Sequence, residues 1–342
     1  MGTLRFGLRL VQHLAPPRDL VRYATLAEAA GFDQVWFSHD PFLQHAWALA
    51  SAAAEHTRRV GIGVLGTNPY TLDPCEIAAW AATLDELSEG RALLGLGLHT
   101  GEMVEWVGHN AWDVIPRTRE AVALVRRLWG GEVVANEEPN FPWRWPLDWT
   151  PQAYLRFSPR RGRIPVYVCA FGDEYLGLAG EIGEGALPMI TPPESAALMV
   201  ERVRAGARAV GRDPGEIDIA GCAWLSLAES AEAAGERLRP LVAYFGPYLE
   251  EPALATMGLG QGDFAPLKRL TDANRPAKAA AAVTPAMLRL GIVGTPEDVV
   301  RAIERLVADG ITQINLGGPL GPDPEAAIRL MGERVIPRFR SA

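Results

Sequence analysis

The chain has 342 residues, of which 48% are hydrophobic and 22% are charged, and its formal net charge is −8 at pH 7. A chain of this length buries a core large enough to fold unaided, and the acidic balance without a basic block argues against nucleic acid as a main partner. No apolar run approaches the ~20 residues of a membrane span, and the first residues enter a strand without a signal peptide's layout. We therefore expect a cytoplasmic protein that acts on small molecules.

Cysteines and histidines give no sign of a structural cross-link or a metal. Cys75, Cys169 and Cys222 are widely spaced in mostly apolar surroundings. Their odd number favours buried free thiols in a reducing compartment over a disulfide framework. The histidines show no ligand spacing such as H-x-x-x-H, so no metal is expected.

Strand and helix patterns alternate along the chain. Apolar, strand-like runs begin at residues 4, 34, 60, 92, 164, 186, 217 and 311. Between most of them, apolar residues recur with the 3.6-residue period of a helix. The clearest unit covers residues 60–101, in which a helix over 73–87 joins two buried strands. Eight such alternations predict an α/β fold of the (β/α)8 barrel class, with its ligand site at the carboxyl ends of the strands.

Two stretches interrupt this alternation. Residues 132–162 lose periodicity and contain Trp143, Trp145 and Trp149, which either line a cleft or cap the barrel. Residues 246–290 have little β-character and are expected to form an extra helical lobe. Because the alternation resumes after each stretch, a single domain over residues 1–342 is predicted, with these two segments as insertions.

Polar residues gather directly after the predicted strands. In a parallel sheet such positions converge at the carboxyl ends, where α/β proteins bind ligands. After the third and fourth strands they are Thr67, Asn68, Tyr70, His99, Thr100 and Glu102.

His39 follows the second strand and lies beside Asp40, which favours a proton donor tuned by a neighbouring carboxylate. The alternative is that Asp40 caps the next turn and His39 is a bystander. Glu102 suits acid–base chemistry and helix capping equally well.

Two glycine-containing segments resemble nucleotide-binding loops only weakly. Gly95-Leu-Gly-Leu-His-Thr-Gly has the spacing G-x-G-x-x-x-G, and no acidic residue ends a strand ~20 residues later. Gly95 and Gly97 are better explained as relief of crowding beside a barrel core. Phe171-Gly-Asp-Glu opens a helix whose backbone N–H groups suit a phosphate, but Asp173 and Glu174 would repel an anion.

Several motifs along nearly the whole chain carry a family resemblance. They are Thr67-Asn-Pro-Tyr-Thr, Ala82-Thr-Leu-Asp-Glu-Leu-Ser-Glu-Gly-Arg, Pro165-Val-Tyr-Val, Leu178-Ala-Gly-Glu-Ile, Gly294-Thr-Pro-Glu-Asp, Gly317-Gly-Pro-Leu-Gly-Pro-Asp and Val335-Ile-Pro. The chain resembles the luciferase-like flavin/deazaflavin oxidoreductase superfamily, and within it the methylenetetrahydromethanopterin reductases that use coenzyme F420.

The resemblance implies hydride transfer between the deazaflavin ring of F420 and a small organic substrate, in a homodimer. It implies a non-prolyl cis peptide at Leu65–Gly66, or within one residue of it, behind the ring. His39 and Glu102 would be catalytic. The implied coenzyme-binding residues are Asp40, Leu65, Gly66, Thr67, Asn68, His99, Thr100, Ala170, Phe171 and Gly172.

The chain also departs from the resemblance. Relatives carry Ser-Asp-His after the second strand where this chain has Ser38-His39-Asp40, so His39, Asp40 and Glu102 all remain candidate proton donors. Thr100-Gly-Glu resembles the sugar-phosphate dehydrogenases of the superfamily, which leaves the substrate open. Two other functions stay open, a reduced-FMN-dependent monooxygenase and a non-catalytic barrel that binds a flavin or another hydrophobic ligand. F420 is expected to bind more tightly than FMN.

Overall fold

The computed structural model describes residues 4–97, 104–110, 113–134, 141, 153–170, 172–188 and 190–340. Within this part, nine strands form one sheet in which every pairing is parallel. The strands are β1 (Arg5–Leu10), β2 (Gln34–Ser38), β3 (Gly61–Thr67), β4 (Ala92–Leu96), β5 (Val166–Ala170), β6 (Gly185–Pro188), β7 (Asp218–Leu227), β8 (Ile292–Gly294) and β9 (Gln313–Leu320).

Helices follow most strands and cover the outside of the sheet. In chain order they are α1 (Pro17–Ala29), α2 (Ala46–His56), α3 (Pro74–Leu87), α4 (Val114–Trp129), α5 (Asp173–Ile182), α6 (Ala196–Ala209), α7 (Ala231–Phe245), α8 (Glu251–Ala255), α9 (Gln261–Asp272), α10 (Pro276–Ala281), α11 (Pro296–Ala308) and α12 (Pro324–Leu330). None of the helices in the described ranges is long and apolar enough to cross a membrane.

The sheet closes into a ring of eight strands. β1 pairs with β2 and β9, and the ring is completed because β7 pairs with both β9 and β6. The predicted (β/α)8 barrel is confirmed, and its strands are those that the apolar runs predicted. The additional strand β8 was not predicted. It pairs with the carboxyl end of β7, and its three residues are too few to show a periodic pattern in the sequence.

Side chains fill the interior of the barrel. The apolar ones are Trp36, Leu65, Tyr167, Cys169, Leu187, Ala220 and Cys222. A Cβ at Gly95 would lie 2.7 Å from Leu65 Cα, and one at Gly97 would lie 2.6 Å from Cys169 O. These glycines therefore let strands approach closely, as the sequence predicted.

The segment 246–290 contains the three helices α8, α9 and α10. Buried residues of this segment and of α7 form a second apolar cluster, which includes Phe264, Leu267 and Leu290 and packs on Trp224 of β7. This lobe lies over the carboxyl end of the barrel. Trp143, Trp145 and Trp149 lie outside the described residues, so their role and the single-domain organisation stay predictions.

Candidate active site

Hydrogen bonds join the ends of neighbouring strands at the carboxyl end of the barrel. The His39 N–H donates to Leu65 O at 2.8 Å, and the Gly97 N–H donates to Thr67 O at 2.9 Å. The Gly66 N–H donates to Cys169 Sγ at 3.3 Å. The ends of β2, β3, β4 and β5 are thereby held together at one edge of the sheet.

The end of β3 turns differently from the prediction. The cis bond found in the described part of the chain joins Gly318 and Pro319, and the bond between Leu65 and Gly66 is trans. The predicted cis peptide is therefore wrong. A register shift between Val64 and Thr67, with Gly66 at φ 75°, redirects the strand instead. A glycine adopts positive φ without the steric cost that another residue would carry.

The two polar residues after this turn have different roles. Asn68 Oδ1 accepts hydrogen bonds from the N–H groups of Tyr70 and Thr71, at 3.1 and 3.0 Å, and thereby fixes the local turn. Thr67 is fully buried, and its Oγ1 has no hydrogen-bond partner among the described residues. Since a buried hydroxyl is rarely left unsatisfied, Thr67 has hydrogen-bonding capacity for a ligand.

A cavity opens beside these strand ends. It has a volume of about 540 Å³, including its opening to solvent. We call it the histidine cavity, and its lining residues are His39, Pro41, Phe42, His45, Thr71, Leu72 and Val107. The ring of half-buried His39 lies 5.0 Å from that of exposed His45, measured between centroids.

Gln12 organises the loop that carries these histidines. It is 3% exposed and follows β1. Its Nε2 donates to Ser38 O, and also to Gln44 O at 2.9 Å. Sequence reasoning missed Gln12 and His45. The rule that polar residues after strands mark the site, applied to β1 as well, would have found Gln12.

The floor beneath the strand ends is polar and buried. Arg9 is 4% exposed and Asn315 is fully buried, with no partner for either atom of the Asn315 amide among the described residues. Burial raises the pKa of the Cys169 and Cys222 thiols to about 12, so both are neutral at physiological pH. The expectation of buried thiols fails for Cys75, because it lies on the solvent side of the first turn of α3.

The start of α5 forms part of a second cavity, of about 490 Å³, beneath the helical lobe. Asp173, which was expected to repel an anion, forms an ion pair with Arg202 at 3.0 Å. The lobe brings a further carboxylate that the sequence did not reveal, since a Cβ at Gly172 would lie 2.7 Å from Glu250 Oε1. This corner therefore contains a third carboxylate in addition to Asp173 and Glu174, and the charge of Asp173 is paired with that of Arg202.

Four of the predicted site residues, His99, Thr100, Glu102 and Phe171, lie outside the described residues. Ala170 is the last residue of β5 and Asp40 is half-buried next to His39. No group of three or more potential metal ligands occurs within the described ranges.

Comparison with known proteins identifies the family. Residues 4–313 match the family model for luciferase-like monooxygenases. The chain belongs to this family. It is 30% identical to 5,10-methylenetetrahydromethanopterin reductase of Methanolobus tindarius over 335 residues, covering 97% of this chain and 100% of the relative.

Two further relatives of this luciferase-like chain use coenzyme F420 by name. F420-dependent glucose-6-phosphate dehydrogenase of Amycolatopsis mediterranei is 29% identical over 358 residues, covering 99% of each chain. The solved structure of the coenzyme F420-dependent tetrahydromethanopterin reductase from Methanopyrus kandleri aligns with a TM-score of 0.91 at 27% identity, covering 99% of this chain and 100% of that one. The resemblance drawn from the motifs is confirmed.

The described residues fit a deazaflavin coenzyme across the strand ends. The buried Thr67 Oγ1 has no partner in the described chain and would be satisfied by a polar ring edge. Gly66 presents no side chain at the bulge, and Leu65, 2% exposed, offers an apolar neighbour. These three would hold the ring on one side, with the histidine cavity adjoining it.

Proposed function

We propose that this luciferase-like chain transfers a hydride between coenzyme F420 and a small organic substrate held in the histidine cavity, with His39 exchanging the proton. The chain is an F420-dependent oxidoreductase, as are relatives that match it over nearly its whole length. The observation that supports the site is the meeting of His39 with the ends of β2 and β3, where one hydrogen bond joins His39 N to Leu65 O at 2.8 Å.

When bound, the coenzyme supplies the hydride chemistry. The residues of the chain would bind and orient the coenzyme and the substrate, and they would exchange protons with the substrate. Thr67 would accept or donate a hydrogen bond to the coenzyme from its buried hydroxyl. His39 is half-buried. Because an imidazole can both accept and donate a proton near neutral pH, this residue suits general acid–base catalysis on the substrate.

The cavity lining supports a neutral substrate. Of the described residues that line it, none is a lysine or arginine, and the side chains are imidazole, hydroxyl or apolar groups. Among these described residues a phosphorylated sugar would find no lysine or arginine to pair with its phosphate, although the relative from Amycolatopsis is named for such a substrate. We therefore favour a small neutral carbonyl or alcohol, or a neutral cyclic compound.

The competing function is a reduced-FMN monooxygenase on the same fold. FMN is anchored chiefly through its terminal phosphate. The carboxylates of Glu174 and Glu250 disfavour that group at the start of α5, where Arg202 is already paired with Asp173. Quenching of tryptophan fluorescence on titration with F420, FMN and NAD separates the possibilities. We expect F420 to bind more tightly than FMN and NAD not to bind appreciably. Tighter binding of FMN would favour the monooxygenase.

Substitution of the proposed proton carriers tests the mechanism. His39→Asn and Glu102→Gln should each lower turnover ~100-fold or more if both relay protons, with smaller changes in coenzyme affinity. His56→Asn, at the far end of α2, is the matched control and should leave turnover unchanged. Wild-type rates in both His39→Asn and Glu102→Gln would assign these residues a structural role. A homodimer and a cytoplasmic location remain part of the proposal, and sedimentation of the purified protein tests the former.

A further inference from the structure

We infer that His45 is a proton-relay residue that carries protons between solvent and His39. The inference rests on the proposed function, because it takes His39 as the group that exchanges a proton with the substrate. Nothing in the motifs pointed to His45, which lacks the spacing of a metal ligand.

The two imidazoles are arranged from the interior of the cavity to its mouth. Both line the histidine cavity, their ring centroids are 5.0 Å apart, and their planes are inclined by 56°. His39 is half-buried, whereas His45 is exposed. Each turnover changes the protonation of His39, which must be restored from water. An exposed imidazole at this distance provides that path, directly or through one water molecule.

Aromatic packing holds His45 in place. His45 is the N-cap residue of α2, but its side chain makes no capping hydrogen bond. Its ring instead lies 6.0 Å from the Trp80 ring, and Trp80 stacks on fully buried Trp47 at 6.1 Å. The imidazole nitrogens are thus not used to cap the helix on which the residue sits.

Gln12 sets the spacing between the two histidines. The carbonyls to which its amide donates belong to Ser38 and Gln44, the residues immediately before His39 and His45. Between them the chain makes a tight turn in which Phe42 has a φ of 65°. One buried side chain therefore fixes the backbone next to both histidines. A chance contact between two surface side chains would not need such a constraint.

The relay balances without a further reactant. In the reducing direction, the bound coenzyme would supply the hydride for the new C–H bond and would release its own ring N–H proton to solvent, while His39 gives its proton to the substrate heteroatom. Protonated His45 then passes a proton to the neutral His39 ring and takes one from water or buffer. In the oxidising direction every proton moves the opposite way, and neither histidine changes oxidation state.

Chemical rescue tests this inference. In dilute non-imidazole buffer, His45→Ala should lower turnover ~10-fold or more, and added imidazole should restore most of the rate in a concentration-dependent manner. The affinity for F420, measured by fluorescence titration, should change less than ~2-fold. His56→Ala is the control, because His56 is exposed at the other end of α2, where its Nδ1 contacts Ala52 O at 2.8 Å. It should show neither loss nor rescue.

A second variant tests the spacing. Gln12→Met keeps the side-chain length and both histidines but removes the donor, so turnover should fall several-fold while the coenzyme affinity is kept. Unchanged turnover in His45→Ala, or a loss that imidazole does not relieve, would overturn the relay. If His39→Asn is slow while His45→Ala is as fast as wild type, only the relay is wrong. If His39→Asn is itself as fast as wild type, the proposed function fails first.

Discussion

The two ends of the barrel treat their buried polar groups differently. At the amino end, Asp218 accepts hydrogen bonds from Tyr167 Oη and Thr312 Oγ1, each at 2.7 Å, and forms an ion pair with Arg5 at 2.8 Å. Burial and the adjacent Asp218 raise the pKa of Tyr167, which keeps its hydroxyl protonated and donating. The groups of this Asp218 network are satisfied within the chain, although Gln313 Oε1 at the start of β9 has no partner among the described residues.

At the carboxyl end, buried polar atoms are left over. Thr67 Oγ1, at the end of β3, and Gln12 Oε1, after β1, have no hydrogen-bond partner in the described part of the chain. An unsatisfied buried polar group costs ~1–3 kcal/mol. We infer from this difference that the Asp218 network stabilises the closed barrel, while the hydroxyl of Thr67 and the amide oxygen of Gln12 are available to a ligand at the carboxyl end, where proteins of this fold bind their ligands.

The largest expected effect comes from removing the centre of the amino-end network. Asp218→Ala leaves the Tyr167 and Thr312 hydroxyls without their acceptor. We expect the free energy of unfolding to fall by about 2–3 kcal/mol, less than for a fully buried pair because Arg5 is half-exposed and can be solvated. Urea unfolding measures this loss. F420 affinity of the folded fraction should be unchanged.

Asp272→Ala is the matched control for this change. Asp272 pairs with Lys268 on the exposed side of α9, so its loss should alter stability by less than ~0.5 kcal/mol. A weakened coenzyme affinity in folded Asp218→Ala would contradict the separation of the two ends.

A smaller, pH-dependent effect is expected at Glu184, before β6. Burial acts to raise the pKa of Glu184, but Arg126, the Val166 N–H and Arg163 together hold it below its ordinary value. The unfolded chain therefore takes up the proton at a higher pH than the folded chain does. The resulting stabilisation is complete above the ordinary value of 4.5 and is lost as the pH falls from there through the lower folded pKa.

Glu184→Gln should accordingly lower the free energy of unfolding by ~1 kcal/mol at pH 7, with a difference from wild type that narrows under acid conditions. Urea unfolding at several pH values measures it. Glu132→Gln, which removes an exposed pair with Arg127, is the comparison and should show little change at any pH. A difference at Glu184 that widens in acid would refute this account.

The fold was predictable because its signals are local. Eight apolar runs separated by helical periodicity define the ring, and the unpredicted β8 has only three residues. The site was predictable in part, because polar residues after strands converge in any parallel barrel. The contacts of Gln12 join residues 26 and 32 positions away, and Glu250 reaches Gly172 from the lobe. Such contacts depend on packing between elements, which periodicity does not encode.

The predicted cis peptide shows the limit of reasoning from resemblance. The turn motif after β3 is present in the sequence, but the chain redirects this strand through Gly66 at positive φ. The motif alone therefore does not determine the backbone conformation of this turn. The hydrogen bonds that follow the bulge, from the Tyr70 and Thr71 N–H groups to Asn68 Oδ1, fix the local turn.

The smallest effect is expected from substitution of two buried threonines, Thr67 at the carboxyl end of β3 and Thr57 before its amino end. Thr67→Val removes a hydroxyl without a partner in the described structure, so the apoprotein should unfold at the same temperature or slightly higher. F420 affinity should fall ~2–10-fold, which corresponds to the free energy of one hydrogen bond.

Thr57→Val is matched in chemistry and burial, but Thr57 Oγ1 donates to Ala53 O at 2.8 Å and accepts from Arg91 at 3.1 Å. It should lose ~1 kcal/mol of stability and keep its F420 affinity. Thermal unfolding and fluorescence titration of the two variants measure both quantities, and the same outcome in each would show that the two ends are not functionally distinct.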